Sequence, residues 1–305
     1  MRAVRFHEYG GFDVLGVEEV EDLTPGEGEV LISVRAAGIN PIDWKKLHGF
    51  LASVAPIEFP AGLGNDAAGV VEQVGPGVSG FEVGDEVLGS SSSPAYAERA
   101  LCPAEKLTRK PAEVGWALAG SLAVVIGTAY KTLKLLRVEE GETLLIHAAS
   151  GGVGLAATQL AVARGVNVIG TAGQSNQELL SSLGATPVLY GDGLRERLQE
   201  LAPQGVDAVL DASGRGELGL SVEIAGGPGR VITIAAQDAA EHGVTFHASG
   251  GGADTIPALE EVLPLIAKGS FLFPVAKTFS LEQVGEALQE SEDGHAQGKL
   301  VVLPG

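Results

Sequence analysis

The stretch that decides the fold is residues 143–173, TLLIHAASGGVGLAATQLAVARGVNVIGTAG. Apolar runs at 144–146 and 166–169 predict two buried parallel strands. The segment Gly-Gly-Val-Gly at 151–154 lies between them, at the start of a predicted helix. Glycine there lets the backbone approach a pyrophosphate and lets the helix pack closely on the sheet. Strand, glycine turn, helix and second strand together predict the phosphate-binding half of a dinucleotide fold.

The residues after the second strand bear on the choice between NADH and NADPH. An NADH site usually has Asp or Glu there to bind the ribose 2′-hydroxyl, but this chain has Gly-Gln-Ser-Asn at 173–176. The backbone amide of Gly173 and the hydroxyl of Ser175 can donate to a 2′-phosphate, so we expect NADPH. An ordinary polar loop of an NAD enzyme is the alternative. The predicted cofactor-binding residues of this segment are Ser150, Gly151, Gly152, Val153, Gly173 and Ser175.

The cation for such a 2′-phosphate is not evident from the sequence. No lysine occurs between Lys134 and Lys268, so the partner must be an arginine or a residue from elsewhere in the chain. The formal net charge of −19 also disfavours two classes of partner, nucleic acids and anionic membranes, because both bind basic surfaces.

Length and composition favour a soluble protein of two domains. A chain of 305 residues is long enough for two cores, and none of its apolar runs is long enough to span a membrane. The start, MRAVRFH, lacks the apolar core of a signal peptide, so we expect a cytoplasmic protein. The single cysteine, Cys102, excludes an internal disulfide and is expected to be an inert packing residue.

The pattern of elements changes along the chain. Short strands broken by glycine and proline turns predict an antiparallel β domain, with strands at 30–34, 69–74 and 86–88. Residues 113–136 are predicted to form one helix that leads into the second domain. Alternating strands and helices then predict a parallel sheet, with later strands at 208–210, 230–234 and 244–247. The rest of the chain is predicted to form helices at 255–268 and 281–290 and a strand at 299–303.

Motifs along the whole chain resemble those of the medium-chain dehydrogenase/reductase superfamily. They are AAGINPIDWK at 36–45, GNDAAGVVEQVG at 64–75, FEVGDEVLG at 81–89, GTAY at 127–130, AASGGVG at 148–154 and GHAQGKLVV at 294–302. Within it they look like the zinc-independent, zeta-crystallin-like quinone oxidoreductase branch. The resemblance implies an α/β protein with a Rossmann doubly wound parallel sheet and a GroES-like β-rich catalytic domain. The implied domains are 1–125 (GroES-like), 126–249 (Rossmann, NADP-binding) and 250–305, which returns to the catalytic domain.

The residue types available argue against a catalytic metal. Zinc needs three protein ligands for catalysis and four in a structural site. The chain has one cysteine, and its six histidines show no paired ligand spacing. Zinc-dependent relatives carry Cys at the position of Asn40 and a His-Glu pair at Asn65 and Asp66. We therefore expect no metal site.

Hydride transfer needs aligned partners and stabilisation of the negative charge that develops on oxygen. The resemblance places Asn40 at the nicotinamide end, where its amide can donate to that oxygen or fix the nicotinamide ribose; a turn asparagine is the alternative. Asp43 and Asp66 are expected either to act in the pocket or to be structural acids that shape its floor. Trp44 is expected either to stack on a planar substrate or to fill the core. The tyrosine that some enoyl reductases carry after this motif is missing. Lys45, His48 or water is left as the proton donor.

The resemblance also implies contacts further along the chain. Thr128 is expected near the nicotinamide end of the cofactor, and Tyr190 near the adenosine phosphate. Ala212 and Ser213 follow a predicted strand and should lie at the ligand edge of the sheet. Lys299 is expected either to supply the missing cation to NADPH or to be an ordinary solvated lysine.

These expectations favour an NADPH-dependent quinone reductase that transfers hydride directly, without metal or flavin. A reductase of activated carbon–carbon double bonds, in an enone, an enoyl compound, an alkenal or a natural-product intermediate, is the second possibility. A non-catalytic NADPH-binding redox sensor is the third. The substrate is expected to be a small molecule. A homodimer is expected from the resemblance and from the open edge of such a sheet.

Overall fold

A computed structural model describes residues 1–247, 252–294 and 296–305. The chain forms two compact units, which are called unit 1 (Met1–Val124 and Thr255–Gly305) and unit 2 (Val125–Asp254). The predicted boundary between residues 249 and 250 and the histidine of the motif at 294–302 lie outside the described residues. Within the described residues, none of the helices combines the length and the apolar character that a membrane crossing requires.

The amino-terminal part of unit 1 is mainly antiparallel strands. They are β1 (Arg2–Arg5), β2 (Gly16–Glu19), β3 (Glu29–Gly38), β4 (Asp66–Val74), β5 (Glu86–Ser90), β6 (Arg99–Pro103) and β7 (Leu107–Arg109). The helices are α1 (Pro41–Leu47), α2 (Trp116–Ala119) and α3 (Ala123–Leu136), which runs on into unit 2. The predicted strands at 30–34, 69–74 and 86–88 are confirmed within β3, β4 and β5.

The prediction of one helix over residues 113–136 is wrong, because the chain breaks between α2 and α3. The break lies at Gly120. A Cβ atom there would come within 2.4 Å of the carbonyl oxygen of Ala36 in β3, so the backbone packs directly on the strand. A glycine that is needed for close packing ends α2 where the apolar pattern alone continues.

Unit 2 is a parallel sheet with helical crossovers. Its elements are β8 (Thr143–His147), α4 (Gly152–Ala163), β9 (Asn167–Ala172), α5 (Gln177–Ser182), β10 (Thr186–Leu189), α6 (Leu194–Leu201), β11 (Ala208–Asp211), α7 (Leu218–Ile224), β12 (Val231–Thr233) and β13 (Thr245–Phe246). The strand order is β10-β9-β8-β11-β12-β13, and every neighbouring pair is parallel. The chain passes from β8 to β10 on one side and returns to β11 on the other. That reversal is the doubly wound topology of a Rossmann fold.

The carboxyl-terminal segment returns to unit 1. It contains α8 (Thr255–Ala267), β14 (Val275–Phe279), α9 (Val284–Asp293) and β15 (Lys299–Val302). β15 pairs antiparallel with β3, with Val301 opposite Gly38, and extends the sheet to the order β14-β15-β3-β4-β5-β7. This pairing brings Lys299, at the start of β15, next to the end of β3 and the residues that follow it.

Each unit has its own apolar core. The core of unit 1 includes Phe6, Ile32, Leu47 and Val302, all fully buried. The core of unit 2 lies between the sheet and its helices. Burial of each such apolar side chain stabilises the fold by about 1.5–3 kcal/mol. A core stabilised in this way holds the polar residues beside it in fixed positions.

Candidate active site

Five polar side chains form one buried cluster in unit 1, which is called the Asn40 cluster. They are Asn40, Asp43, Asp66, Tyr96 and Lys299, and each is at most 5% exposed. They come from distant parts of the chain: the start of α1, the first residue of β4, the segment before β6 and the first residue of β15. Buried polar groups are stable only when hydrogen-bonded, so the cluster must be nearly self-sufficient.

The amide of Asn40 lies between a cation and a carboxylate. Its Oδ1 accepts a hydrogen bond from Nζ of Lys299 at 2.8 Å, and its Nδ2 donates to Oδ2 of Asp66 at 2.9 Å. Nδ2 also lies 3.4 Å from the carbonyl oxygen of Gly38. Turning the amide over would place NH₂ against an ammonium and oxygen against a carboxylate. The charges on either side therefore fix its orientation.

Asp43 connects the cluster to the start of α1. Its Oδ2 accepts from the backbone N–H of Asn40 at 2.9 Å and from the hydroxyl of Tyr96 at 2.7 Å. Its Oδ1 accepts from the backbone N–H of Gly64 at 3.2 Å. Burial raises the pKa of the Asp43 carboxyl, and the bond from Tyr96 opposes that rise. The carboxyl stabilises the first turn of α1 and the loop before β4.

Asp66 and Lys299 are the charged groups on either side of Asn40. Burial raises the pKa of Asp66 to about 6, and the charge of Lys299 works against the rise. Burial also lowers the pKa of Lys299, which Asp66 opposes. Nζ of Lys299 donates to the carbonyl oxygen of Ile39 at 2.6 Å, and Oδ1 of Asp66 accepts from the N–H of Val124 at 2.7 Å. Asp66 thus also binds the first turn of α3.

The surroundings change what Asn40 and Lys299 can do. Both amide hydrogens of Asn40 point at protein acceptors, so donation to a substrate oxygen requires one of them to be released. Lys299 is 5% exposed, and its ammonium already donates twice. It is not a solvated lysine, and its observed contacts are with the backbone and Asn40. Within the part of the chain that the structure describes, no group of three His, Cys, Asp or Glu residues could hold a metal ion.

Trp44, Lys45 and His48 lie on α1 and just after it. Trp44 is partly buried against the core of unit 1, and its indole N–H is buried without an acceptor among the described residues. Nζ of Lys45 lies 5.5 Å from the Trp44 ring, and burial lowers the pKa of this lysine. Nδ1 of His48 lies 2.7 Å from the carbonyl oxygen of Gly10, and its Nε2 lies 3.5 Å from Glu292. Both nitrogens of His48 therefore face groups within unit 1.

In unit 2, the turn between β8 and α4 is shaped for close approach. Ala148 has a positive φ of 54°, and a Cβ atom on Gly154 would meet the carbonyl oxygen of Ala148 at 2.1 Å. Only glycine lets α4 begin this close to the end of β8. Ser150 lies in this turn, Gly151 is the N-cap residue of α4, and Gly152 and Val153 begin the first turn of α4. The first N–H groups of a helix lack partners within it and favour an anion.

The ends of β9 and β10 meet in the next part of unit 2. The two strands are parallel, with Leu189 opposite Ala172, so Gly173 and Tyr190 follow side by side. A Cβ atom on Gly173 would lie 3.5 Å from the hydroxyl of Tyr190, which places that ring against the glycine. Ser175 is exposed in the turn that follows. No acidic side chain occurs in residues 171–177, the segment that leaves β9.

Asp211 organises the loop after β11. Its Oδ1 accepts from the backbone N–H groups of Ser213 at 2.9 Å and Gly214 at 3.1 Å, and its Oδ2 accepts from the hydroxyl of Thr233 at 2.7 Å. The hydroxyl of Ser213 lies between two carboxylates, 3.0 Å from Asp211 and 2.7 Å from Glu217. Asp211 itself is fully buried. The backbone around Ala212 and Ser213 is therefore held at the carboxyl end of the sheet.

Thr128 is the remaining predicted contact. It is 6% exposed in α3, and its carbonyl oxygen accepts from the hydroxyl of Thr132 at 2.9 Å. Tyr96, a member of the Asn40 cluster, was not identified from the sequence. Tyr96 gives no local signal, because its partner Asp43 lies 53 residues away.

Family models match two parts of the chain. Residues 26–136 match the alcohol dehydrogenase GroES-like domain, and residues 183–302 match the zinc-binding dehydrogenase family. The first range covers the strands and α1 that hold most of the Asn40 cluster. The second begins in unit 2 and ends within β15.

Curated relatives and solved structures match nearly the whole chain. Human quinone oxidoreductase is 32% identical over 99% of this chain and 98% of its own length. The 2-methylene-furan-3-one reductase of Solanum lycopersicum is 33% identical over 100% of this chain and 79% of its own length. The structure of Escherichia coli quinone oxidoreductase in complex with NADPH has a TM-score of 0.89 and 28% identity, and covers 100% of both chains. The protein is therefore an oxidoreductase, and it belongs to the quinone oxidoreductase branch of the medium-chain dehydrogenase/reductase superfamily.

Proposed function

We propose that this protein is an NADPH-dependent quinone reductase that transfers hydride directly to a quinone, without metal or flavin. The observation that carries the choice of cofactor is the end of β9. Gly173 and Tyr190 lie together there, and no acidic side chain occurs in residues 171–177. A 2′-phosphate meets no fixed negative charge in that segment, whereas the 2′-hydroxyl of NADH lacks its usual carboxylate partner. The Escherichia coli relative that binds NADPH supports the same choice.

The residues of unit 2 fit a dinucleotide. The turn before α4 has no room for a Cβ atom at Gly154, and the unpaired N–H groups of α4 suit a pyrophosphate. We propose that Ser150, Gly151, Gly152 and Val153 bind the pyrophosphate. We propose that Gly173, Ser175 and Tyr190 bind the adenosine ribose and its phosphate, and that Thr128, Ala212 and Ser213 bind toward the nicotinamide end.

When bound, the nicotinamide supplies the hydride. The protein must then hold the reacting groups in place and stabilise charge on oxygen. We propose that Asn40 does this from within its cluster, because Lys299 and Asp66 hold its amide in one orientation. Lys299 thus acts as a positioning residue and as the positive charge beside the acceptor. Its ammonium also provides the cation that Asp43 and Asp66 need in a buried site.

Steady-state kinetics test this proposal. The oxidation of NADPH and of NADH is followed with a simple para-quinone, with and without a chelator, against a blank that lacks protein. We expect turnover that prefers NADPH and is insensitive to the chelator. We expect the Asn40→Ala variant to lose at least tenfold in kcat/KM, since a preorganised polar group contributes that much or more. Turnover that requires added metal, or that prefers NADH, would contradict the proposal.

A reductase of activated carbon–carbon double bonds is the second candidate. The tomato relative, which is named as a reductase of a methylene-furanone, supports it at 33% identity. The buried indole N–H of Trp44, which has no acceptor among the described residues, is a donor that a carbonyl oxygen could use in either reaction. Adding an enone and an alkenal to the same assay separates the two functions. A higher kcat/KM for the enone than for every quinone would favour this second candidate.

A further inference from the structure

The proposed 2′-phosphate subsite has an arginine beside it. Leu189 ends β10, and the loop that follows carries Tyr190 against Gly173. Arg197, from α6, donates to the carbonyl oxygen of Leu189 from Nε at 3.1 Å and from Nη2 at 2.8 Å. Nη2 also lies 3.4 Å from the carbonyl oxygens of Tyr190 and Gly191. One guanidinium therefore binds three successive carbonyl groups of the loop that holds Tyr190.

The loop is built closely around this guanidinium. Gly191 and Gly193 both have positive φ, of 85° and 76°, which lets the chain turn sharply between β10 and α6. A Cβ atom on Gly193 would lie 2.9 Å from Nη1 of Arg197. The carbonyl group of Leu189 is at the carboxyl end of its strand, the edge where such sheets bind their ligands. The guanidinium of Arg197, which is partly exposed, thus lies against this end of β10.

Arg197 forms no ion pair with a carboxylate among the described residues, unlike two other arginines of unit 2. Arg195 pairs with Glu223, and Arg230 pairs with Glu142. Across residues 1–247, 252–294 and 296–305, no carboxylate lies within 4 Å of the Arg197 guanidinium, whose partners are the loop carbonyls. A carbonyl group fixes the position of an arginine but leaves its full positive charge. In a chain of net charge −19, such a charge at a ligand edge favours an anion.

We propose that Arg197 determines the preference for a 2′-phosphate, by fixing the loop that presents Tyr190 at Gly173 and by adding positive charge to that subsite. The proposal rests on the proposed function, because it assigns the 2′-phosphate of NADPH to this edge of unit 2. It makes Arg197 a positioning and specificity residue. It also explains how the subsite works with no lysine between Lys134 and Lys268.

Calorimetric titration with two small probes tests the proposal without catalysis. The probes, 2′,5′-ADP and 5′-AMP, differ only in the 2′-phosphate. We expect wild-type protein to bind 2′,5′-ADP more tightly. We expect Arg197→Gln to weaken that binding tenfold or more while changing 5′-AMP binding less than twofold. Arg195→Gln is the matched control. It removes the same charge two residues away in the sequence, but Arg195 is already paired with Glu223. This variant should leave both affinities within twofold of wild type.

The other outcomes decide against the inference. An unchanged ratio of the two affinities in Arg197→Gln overturns it, and so does an equal loss for both probes, which would show a purely structural role. If Arg197→Gln does not fold, Arg197→Lys decides: the charge remains but the fork of hydrogen bonds is lost. That variant should lose at least threefold for 2′,5′-ADP only, and any other pattern overturns the inference. Wild-type protein that binds neither probe would instead contradict the proposed function.

Discussion

Replacing Lys299 with methionine removes the positive charge of the Asn40 cluster at nearly constant volume. Lys299 is 5% exposed, and its ammonium donates to Ile39 and to Asn40. Its loss leaves both oxygens without that donor and leaves the Asp66 carboxylate without the charge that stabilises it. Breaking a buried charge pair by removing one partner typically costs about 3–5 kcal/mol. Leaving buried acceptors unpaired costs about 1–3 kcal/mol.

The loss of the charge pair depends on pH, whereas the loss of the hydrogen bonds does not. The pKa of Asp66 is raised from 3.8 to about 6 by folding, so the folded protein binds more protons than the unfolded chain in this range. Stability contributed by this group therefore falls as pH rises from about 4 to 6, by about 3 kcal/mol in all. Without Lys299 the pKa rises further, and the loss extends to higher pH. The variant should be less stable than wild type by about 4 kcal/mol at pH 8 and about 2 kcal/mol at pH 5.

Urea unfolding followed by tryptophan fluorescence measures the unfolding free energy of unit 1 in the variant and in wild type. The two tryptophans, Trp44 and Trp116, both lie in unit 1, so their signal reports that unit alone. Lys106→Met, which removes an exposed lysine, is the matched control and should leave the unfolding free energy nearly unchanged. The Asp43 carboxyl also interacts with the charge of Lys299, so its loss of that charge adds to the pH-dependent difference in the variant. A loss that is equal at pH 5 and pH 8, or equal to that of Lys106→Met, would refute the reasoning.

Three further predictions follow from burial and close packing. Gly154→Ala should destabilise unit 2 by about 3 kcal/mol and abolish 5′-AMP binding, because its Cβ would lie 2.1 Å from the carbonyl oxygen of Ala148. The control Gly229→Ala places its Cβ in open space and should have neither effect. Calorimetric melting measures the stability of both variants, and calorimetric titration measures their binding of 5′-AMP. Burial raises the pKa of Cys102 well above its usual range, so this thiol should not react with a thiol reagent in the native protein and should react stoichiometrically in urea; native reactivity would count against its burial. Tyr96→Phe removes the 2.7 Å bond to Asp43 and should cost about 1–3 kcal/mol in urea unfolding, with no loss being the contrary result.

The sequence predicts the Rossmann part of the fold well because its signal is local. The apolar runs around the Gly-Gly-Val-Gly segment at 151–154 occupy neighbouring positions, and the structure has β8, α4 and β9 there. The helix predicted over residues 113–136 was wrong for the opposite reason. Its break depends on Gly120 packing against Ala36, a contact between residues 84 positions apart, which hydrophobic periodicity does not contain.

The Asn40 cluster shows the same limit for the candidate site. Asn40 could be singled out from its motif, but its hydrogen bond with Lys299 joins residues 259 positions apart. A lone lysine before a closing strand looks solvated in sequence. Only the pairing of β15 with β3 brings it beside Asn40 and buries it. The roles given to these residues stay predictions. The hydrogen bonds of Asn40 with Lys299 and Asp66 are the contacts to test.

The most direct test of the central claim is a single turnover. NADPH-loaded protein is mixed rapidly with a stoichiometric para-quinone, and the absorbance of NADPH at about 340 nm is followed together with the formation of hydroquinone. The account predicts that one hydroquinone forms for each NADPH consumed, at the same rate, in protein treated with a chelator. NADPH that binds but stays reduced, or that disappears without matching hydroquinone, would contradict it.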